Sequence, residues 1–334
     1  MGYIAVRGGE DAINNAKKVV ELFRRENRLA VDQVVGEGSL YAPELARLAI
    51  KQAEGDLMEA SFLIRAYRST LPRLGYSEPI DTRDMFVTRR ISSTFKDIPG
   101  GQILGATRDY TQRLLEFETS EEGEEKESDA SEVPPHFEKV VDVMRRASLV
   151  AEPSENNEEP FDITRDALQF PLPRSARLQA LARGGSGAML AIAYSSLRGY
   201  GSVHPTIAEL RVGYVKLKIK HPYTKNEVSI GEILVTECKG VLSGVGATML
   251  GGDAKFSLGY GLVFGQNERK AISMAILDGT TGVKEPKAPS EDHEFVFYHI
   301  DGIDAMGFVE HLKLPHYVTF QSSLDRIRKI RGEK

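Results

Sequence analysis

The first third of the chain carries hydrophobic residues at helical spacing. Pro43 is typical of the first turn of a helix, and Asp56 followed by Glu59 matches the capping-box pattern that begins another. Between Asp11 and Arg24 the apolar positions fall on one stripe of a helix, formed by Ile13, Ala16, Val19, Val20 and Phe23. The pattern therefore predicts a helical N-terminal part.

The spacing changes to strand-like alternation near residue 212. Apolar and polar positions alternate from Val212 to Ile219, the segment from Tyr223 to Asn226 predicts a turn, and alternation resumes from Val228 to Val235. Two such runs around a short turn indicate an antiparallel hairpin. Helical spacing returns from Asn267 to Leu277. This order predicts an α+β fold, with a helical N-terminal part, a central antiparallel or mixed sheet that contains the hairpin, and C-terminal helices.

Two polar stretches divide the chain. The segment from Thr119 to Glu132 has seven acidic residues and one base, Lys126, and it is too polar to order itself by burial. The segment from Glu152 to Pro160 is similar. Between them lies one amphipathic helix, whose apolar face carries Phe137, Val140, Val141 and Met144. We predict a mainly helical domain at 1–118, an acidic linker with one helix at 119–160, and an α+β domain at 161–334 that carries the metal and anion site.

Composition excludes several classes of protein. No apolar run approaches the ~18 residues that a membrane helix needs, and charges at Arg7, Glu10 and Asp11 occupy positions where a signal peptide is apolar. Cys238 is the single cysteine, so this chain alone forms no disulfide and no iron–sulfur cluster. Outside the acidic stretch the net charge is close to zero, which gives no sign of a nucleic-acid groove. We expect a soluble cytoplasmic protein with no membrane or nucleic-acid partner.

His311 and His316 are the candidate metal ligands. Pro315 lies between them, and because proline forces the preceding residue out of the α region, it ends any helix near Lys313 and turns the chain. On such a bend His316 can fold back toward His311 to form half of a zinc-type site. The alternative is structural: one histidine caps the end of a helix and the other packs against Tyr317.

Glycine-rich turns and arginines are the candidate anion-binding features. The turn from Asp97 to Gln102, which includes Gly100 and Gly101, and the turn from Arg183 to Gly187 can present bare backbone N–H groups to phosphate. A guanidinium also matches a phosphate or phosphonate with two hydrogen bonds. The arginines that lie close to glycines or to other polar candidates are Arg174, Arg177, Arg198 and Arg211. Ordinary tight turns and solvated surface arginines are the alternatives.

Several common nucleotide-binding patterns are missing. The segment from Gly259 to Gly265 has one residue too many for the dinucleotide fingerprint. The chain also contains no GxxxxGK[ST] sequence, so any nucleoside triphosphate is bound without a P-loop.

Four blocks of sequence carry a resemblance to a known family. They are RRISSTFKDIPGGQILGATRDYTQRLL from Arg89, LARGGSGAMLAIAYSSLRGYGSVHP from Leu181, GYGLVFGQNERKAISMAILD from Gly259 and GFVEHLKLPHYVTFQ around His311. Together with the N-terminal MGYIAVRGGEDAI they span nearly the whole chain. The sequence resembles PhnI, the nucleosidase-type subunit of the bacterial carbon–phosphorus lyase core complex.

The resemblance implies a specific reaction. A phosphonate displaces adenine from ATP at the ribose C1′ carbon, which gives a ribose 1-phosphonate 5-triphosphate, and the subunit alone releases the base by hydrolysis. The displacement has an oxocarbenium-like transition state, so it needs anionic groups near the sugar and an acid for the leaving purine. The candidate catalytic carboxylates are Glu209, Glu237 and Asp97.

The resemblance also implies cofactors and partners. His311 and His316 are expected to bind a divalent metal, most simply zinc, together with a histidine from a radical-SAM iron–sulfur subunit, and magnesium is expected with ATP. The other implied partners are a small core subunit, a subunit that resembles PLP-dependent transferases and ATP-binding-cassette subunits. A non-catalytic scaffold that lends two metal ligands to a partner's site is the alternative function. A free-standing metal hydrolase is disfavoured, since two histidines without a nearby carboxylate leave the metal incompletely coordinated.

The acidic stretch gives a first prediction. Replacing Thr119 to Glu132 by a short Gly/Ser joint is expected to leave folding and complex assembly intact, because the stretch lacks apolar periodicity. Soluble yield and co-purification with partner subunits measure the outcome. A large drop in either quantity would show that the stretch is structural.

Overall fold

A computed structural model of the chain describes residues 27–110, 113–115, 138–150, 158–200, 204–243, 255–283 and 285–333. Within these ranges four antiparallel strands form one sheet in the order β1-β2-β3-β4. The strands are β1 (Phe86–Ile91), β2 (His204–Lys220), β3 (Glu227–Ser243) and β4 (Ser257–Phe264). Helices precede and follow the sheet along the chain, so the predicted α+β class is confirmed.

Ten α-helices accompany the sheet in the described ranges. They are α1 (Arg28–Gly38), α2 (Pro43–Gln52), α3 (Leu57–Thr70), α4 (Val140–Arg146), α5 (Arg174–Arg183), α6 (Ser186–Ser195), α7 (Glu268–Thr280), α8 (His293–His299), α9 (Gly302–Glu310) and α10 (Tyr317–Arg331). None of these helices is both long and apolar enough to cross a bilayer.

The predicted helix starts are found where proline and aspartate place them. Helix α2 begins at Pro43, and the Asp56 side chain caps α3 by accepting hydrogen bonds from the N–H groups of Met58 and Glu59. The reciprocal half of the capping box is not made, because the Asp56 N–H donates to the Ala53 carbonyl. The predicted helix from Asp11 to Arg24 lies outside the described residues.

The predicted hairpin is formed by two long strands. Strand β2 pairs with β3 from His204 opposite Ser243 to Lys220 opposite Glu227, and the turn closes with a hydrogen bond of 2.8 Å from the His221 N–H to the Asn226 carbonyl. Strand β1 pairs with β2 on the other side. The sheet therefore joins a strand from the first 118 residues to three strands from the region after residue 161.

Helices cover parts of the sheet with apolar side chains. The predicted amphipathic helix is α4, and its Val140, Val141 and Met144 pack with Val241 of β3, whereas Phe137 lies outside the described residues. Helix α7 lies against β4 and β3 and contributes to the largest hydrophobic cluster. Cys238 belongs to that cluster, where burial raises the pKa of its thiol to about 12.

Two glycines let α7 approach β4 closely. A Cβ atom at Gly259 would lie 1.8 Å from the carbonyl oxygen of Ala275, and one at Gly261 would lie 2.2 Å from that of Ala271. Real atoms never come so near to backbone, so any side chain here must displace the helix. The segment that failed to match a dinucleotide fingerprint thus has a packing role.

The close approach predicts a large loss of stability in Gly261→Ala. The added methyl group must push α7 away from β4, and overpacking of this kind typically costs ~1–3 kcal/mol. Thermal or urea unfolding of the variant should show the lower stability. The matched control is Gly75→Ala, where nothing lies within 4 Å of the new methyl group. Equal stability of the two variants would contradict the close-packing explanation.

Candidate functional site

The two candidate metal ligands lie on a bend between α9 and α10. A short 3-10 turn from His311 to Lys313 follows α9, Leu314 is extended, and His316 is the N-cap residue of α10. The ring centroids of His311 and His316 are 5.4 Å apart, and their planes meet at 58°. The bend that Pro315 predicts is therefore present, and it brings the two imidazoles together.

The hydrogen bonds of both rings suit metal binding. His316 Nδ1 lies 2.6 Å from the Leu314 carbonyl, and His311 Nδ1 contacts the Phe308 carbonyl. Because a carbonyl oxygen only accepts, each Nδ1 must carry the hydrogen, which leaves both Nε2 lone pairs available. Two rings that bind one tetrahedral zinc through Nε2 have centroids about 5 Å apart, given Zn–N bonds of ~2.0–2.1 Å. The pair fits such an ion.

Part of the structural alternative is also present. His311 caps the last turn of α9 through Phe308, and the two rings meet edge to face at 5.2 Å. These contacts use the Nδ1 side and the edge of the His311 ring. They leave Nε2 free, so the cap and a metal are compatible.

The chain supplies no third metal ligand near the histidines within its described part. No group of three His, Cys, Asp or Glu side chains there could hold an ion. The nearest acidic residue in sequence, Glu310, is paired with Lys313 at 3.0 Å. Within the described residues, the two histidines would thus supply only two of the four ligands of a tetrahedral ion.

The surface around the bend is apolar and uncovered. Neither α9 nor α10 has a buried residue. Large apolar side chains stand exposed on both helices and on the bend, namely Phe308, Val309, Leu312, Leu314, Tyr317, Val318, Phe320, Ile327 and Ile330. We call these nine residues the C-terminal apolar surface. Exposed large apolar side chains in such number are typical of a surface that binds another protein.

Glu237 of β3 lies in a buried network of hydrogen bonds. Its carboxylate accepts hydrogen bonds from Arg211 Nε at 3.0 Å, Thr82 Oγ1 at 2.7 Å and the Tyr260 hydroxyl at 3.2 Å. Burial alone would raise the pKa of Glu237, but the charges of Arg211, Lys239 and Lys139 and the Thr82 hydrogen bond lower it to about 2. Glu237 is therefore ionised at neutral pH and cannot act as the proton donor.

Glu209 and Asp97 occupy different environments. Glu209 is buried and pairs with Arg90 at 2.6 Å, and its second oxygen, Oε2, has no hydrogen-bond partner. Arg90 also donates to the Pro99 carbonyl, so it ties Glu209 to the turn that carries Gly100 and Gly101. Asp97 is exposed at the start of that turn.

The predicted phosphate-binding residues do not converge on one place. Arg211 is buried against Glu237, Arg174 pairs with Asp278 at 2.6 Å, and Arg177 donates to the Thr281 carbonyl at 3.0 Å. Gly100 and Gly101 have φ angles of 80° and 79°, and the Gly101 N–H donates within its own turn to Ile98. Arg198 is exposed beside the ring of Tyr194. In the described part of the chain, no hydrogen bond or ion pair links any of them to His311 or His316.

A cavity that sequence reasoning missed lies between the starts of α6 and α7. Its volume is about 630 Å³, and Arg28, Arg108, Arg113 and Arg269 are among its lining residues. Arg28 and Arg269 are far in sequence from Arg108 and Arg113, so no local pattern marks the four as one group. The predicted turn from Arg183 to Gly187 does reach the cavity, because Ser186 and Gly187 also line it.

A series of polar contacts connects this cavity to the start of α9, the helix that precedes His311 and His316. The Glu37 side chain accepts a hydrogen bond from the Ser186 N–H at 2.8 Å. Arg65 donates to the Glu37 carbonyl at 2.9 Å and pairs at 2.9 Å with Asp301, the N-cap residue of α9. Lys270 is buried beside these contacts, and burial lowers its pKa to about 8. The contacts fix the start of α6 relative to the start of α9.

Comparisons with known proteins agree along the whole chain. Residues 2–334 match the family described as bacterial phosphonate metabolism protein (PhnI). A putative C-P lyase subunit protein HtxH from Stutzerimonas stutzeri is 49% identical, and the match covers 98% of this chain and 95% of that protein. The alpha-D-ribose 1-methylphosphonate 5-triphosphate synthase subunits PhnI of Rhizobium meliloti (strain 1021) and Escherichia coli (strain K12) are 46% and 44% identical, over 99% of this chain and 95% and 99% of those proteins. The chain therefore belongs to the PhnI family of bacterial phosphonate metabolism proteins.

Proposed function

We propose that this chain is a subunit of a carbon–phosphorus lyase complex and carries the step in which a phosphonate displaces adenine from ATP at the ribose C1′ carbon. The names of its relatives, which are synthase subunits that make a ribose methylphosphonate triphosphate, support this role. The carrying observation is the half-site of His311 and His316, whose free Nε2 atoms and 5.4 Å separation suit an ion completed by a partner. Alone, the subunit is proposed to hydrolyse the same bond.

The expected partner is the radical-SAM subunit, which would supply a third histidine. The C-terminal apolar surface supports this arrangement, since it surrounds the bend and is uncovered in the single chain. A zinc or similar ion held there would act as a Lewis acid toward an anionic phosphonate oxygen. The small core subunit, the PLP-transferase-like subunit and the ATP-binding-cassette subunits complete the proposed complex, which acts in the cytoplasm with magnesium–ATP and an alkylphosphonate.

The candidate carboxylates can have different roles at the ribose. A glycosidic displacement builds positive charge on C1′ and needs a proton for the departing purine. Glu237 stays ionised, so it suits stabilisation of the positive charge and not protonation of the purine. Its carboxylate is buried and paired with Arg211. Asp97 is exposed beside the glycine turn and is the candidate that substrate reaches without rearrangement.

A non-catalytic scaffold is the second candidate. The observation that favours it is that Glu209 and Glu237 are both engaged by buried arginines, as structural carboxylates are. In that case the chain contributes His311, His316 and a docking surface, and a partner performs the chemistry.

Product analysis separates glycosidic cleavage from ATP hydrolysis. The assembled complex, incubated with magnesium–ATP and methylphosphonate, is expected to release free adenine and to retain the triphosphate on the ribose, since the reacting bond is at C1′. Chromatography with mass detection resolves these products. ADP and inorganic phosphate as the main products would contradict the proposal, and adenine release that continues when this chain is absent would favour the scaffold.

Metal content tests the histidine pair. In the assembled complex, His311→Ala and His316→Ala are each expected to lose the metal and phosphonate turnover, with little change in folding because both side chains lie on an exposed bend. The isolated wild-type chain should bind zinc much more weakly than the complex does, because two ligands leave the ion half-coordinated.

The matched control for the metal experiment is His299→Ala. His299 is also exposed and also contacts a backbone carbonyl through Nδ1, that of Phe295, but among the described residues no second histidine ring contacts it. This variant should keep full metal content. Full occupancy in both His311→Ala and His316→Ala would mean that the pair is structural.

A further inference from the structure

The cavity between α6 and α7 has more arginines than carboxylates. Arg28, Arg108, Arg113 and Arg269 line it, against the acidic side chains of Asp109 and Glu268. Both carboxylates are already engaged by the buried Arg89, which lies 2.5 Å from Asp109 and 2.7 Å from Glu268. Arg89 offsets one of these two negative charges, so the four lining arginines leave the cavity wall with a net positive charge.

Two of these arginines have no partner in the described part of the chain. Within the described residues, Arg113 and Arg269 make no hydrogen bond or ion pair, and both side chains are exposed. Arg28 differs, because it contacts Gln266 and Asp32. The cavity therefore presents at least two guanidinium groups whose five N–H donors each are available to an oxyanion.

The starts of two helices face the same cavity. Ser186 and Gly187 begin α6, Glu268 and Arg269 begin α7, and the Asn267 amide joins the two starts through Ser186 Oγ at 3.4 Å. The Ser186 N–H donates to Glu37, and the Gly185 N–H donates to the Ile300 carbonyl. The next N–H, that of Gly187, lies in the first turn of α6 and has no partner within its helix. The field of both helix dipoles is positive here.

Gly187 leaves open space in the wall. A Cβ atom at this position would meet nothing within 4 Å. Leu29, Leu114, Leu115 and Leu190 line other parts of the cavity and are exposed to it or to solvent. A volume of about 630 Å³ is in the range of small-molecule sites, and an apolar wall beside charged groups suits a ligand with both an anionic and an apolar part.

We propose that this cavity binds the polyphosphate of a nucleotide, with Arg113, Arg269 and the Gly187 N–H as its phosphate contacts. A single phosphonate would leave most of the arginine charge unmatched, whereas a polyphosphate spreads several oxyanions across it. The inference rests on the proposed function only in taking ATP as the nucleotide.

Binding to the full-length chain tests the site. ATP, tripolyphosphate, adenosine and methylphosphonate are titrated separately by calorimetry, at fixed ionic strength and with magnesium. ATP and tripolyphosphate should bind and compete with each other, and adenosine and methylphosphonate should bind at least about tenfold more weakly. The double variant Arg113→Gln/Arg269→Gln should weaken ATP binding by about tenfold or more, as expected for lost charged hydrogen bonds.

The variant Gly187→Glu separates binding from folding. Its carboxylate enters the open space and repels an anion, but an acidic side chain in the first turn of a helix is favourable, so the unfolding temperature should not fall. ATP binding should be lost. Gly75→Glu introduces the same charge in open space elsewhere and should bind ATP like the wild type.

The outcomes distinguish this inference from the proposed reaction. Unchanged ATP affinity in Gly187→Glu and in the double variant, or no ATP binding by the wild-type chain, would overturn the cavity assignment even if the complex releases adenine. Loss of methylphosphonate binding in Gly187→Glu without loss of ATP binding would also overturn it. Loss of ATP binding in these variants with ADP as the product of the complex would support the cavity and contradict the reaction.

Discussion

The burial of arginine side chains inside the sheet is the constraint on which the surrounding structure depends. Arg89 and Arg90 of β1 and Arg211 of β2 are almost completely buried. A buried guanidinium without partners costs several kcal/mol, so each of the three must find carboxylates and carbonyls. Because they recruit partners from loops and neighbouring strands, they fix segments that have little apolar packing of their own.

Each buried arginine organises a different region. Arg90 holds Glu209 together with the carbonyls of Pro99 and Glu138, so it positions the glycine turn and the approach to α4. Arg89 binds the Leu104 carbonyl, Asp109 and Glu268, which places one wall of the cavity. Arg113 and Arg269, which have no partner among the described residues, lie at the surface of the same cavity.

Local sequence patterns predict the structural features that depend on interactions within a few residues. The alternation around residues 212–235 predicts the hairpin, and Pro315 predicts the bend that brings His311 to His316, because both effects act within a few residues. The pairing of Arg211 with Glu237 depends on the register between β2 and β3, which no local signal specifies. Glu209, Glu237 and Arg211 stand out in the sequence as candidate site residues, but the sequence does not indicate that the folded chain buries them in ion pairs. The cavity is harder still to predict, since its four arginines come from three separate segments of the chain.

The C-terminal apolar surface has a consequence for the behaviour of the chain alone. Helices α9 and α10, with the bend that holds His311 and His316, expose nine large apolar side chains. Copies of the chain on which nothing covers this surface are expected to associate with one another through it. High concentrations of the chain alone therefore favour self-association at this one bend.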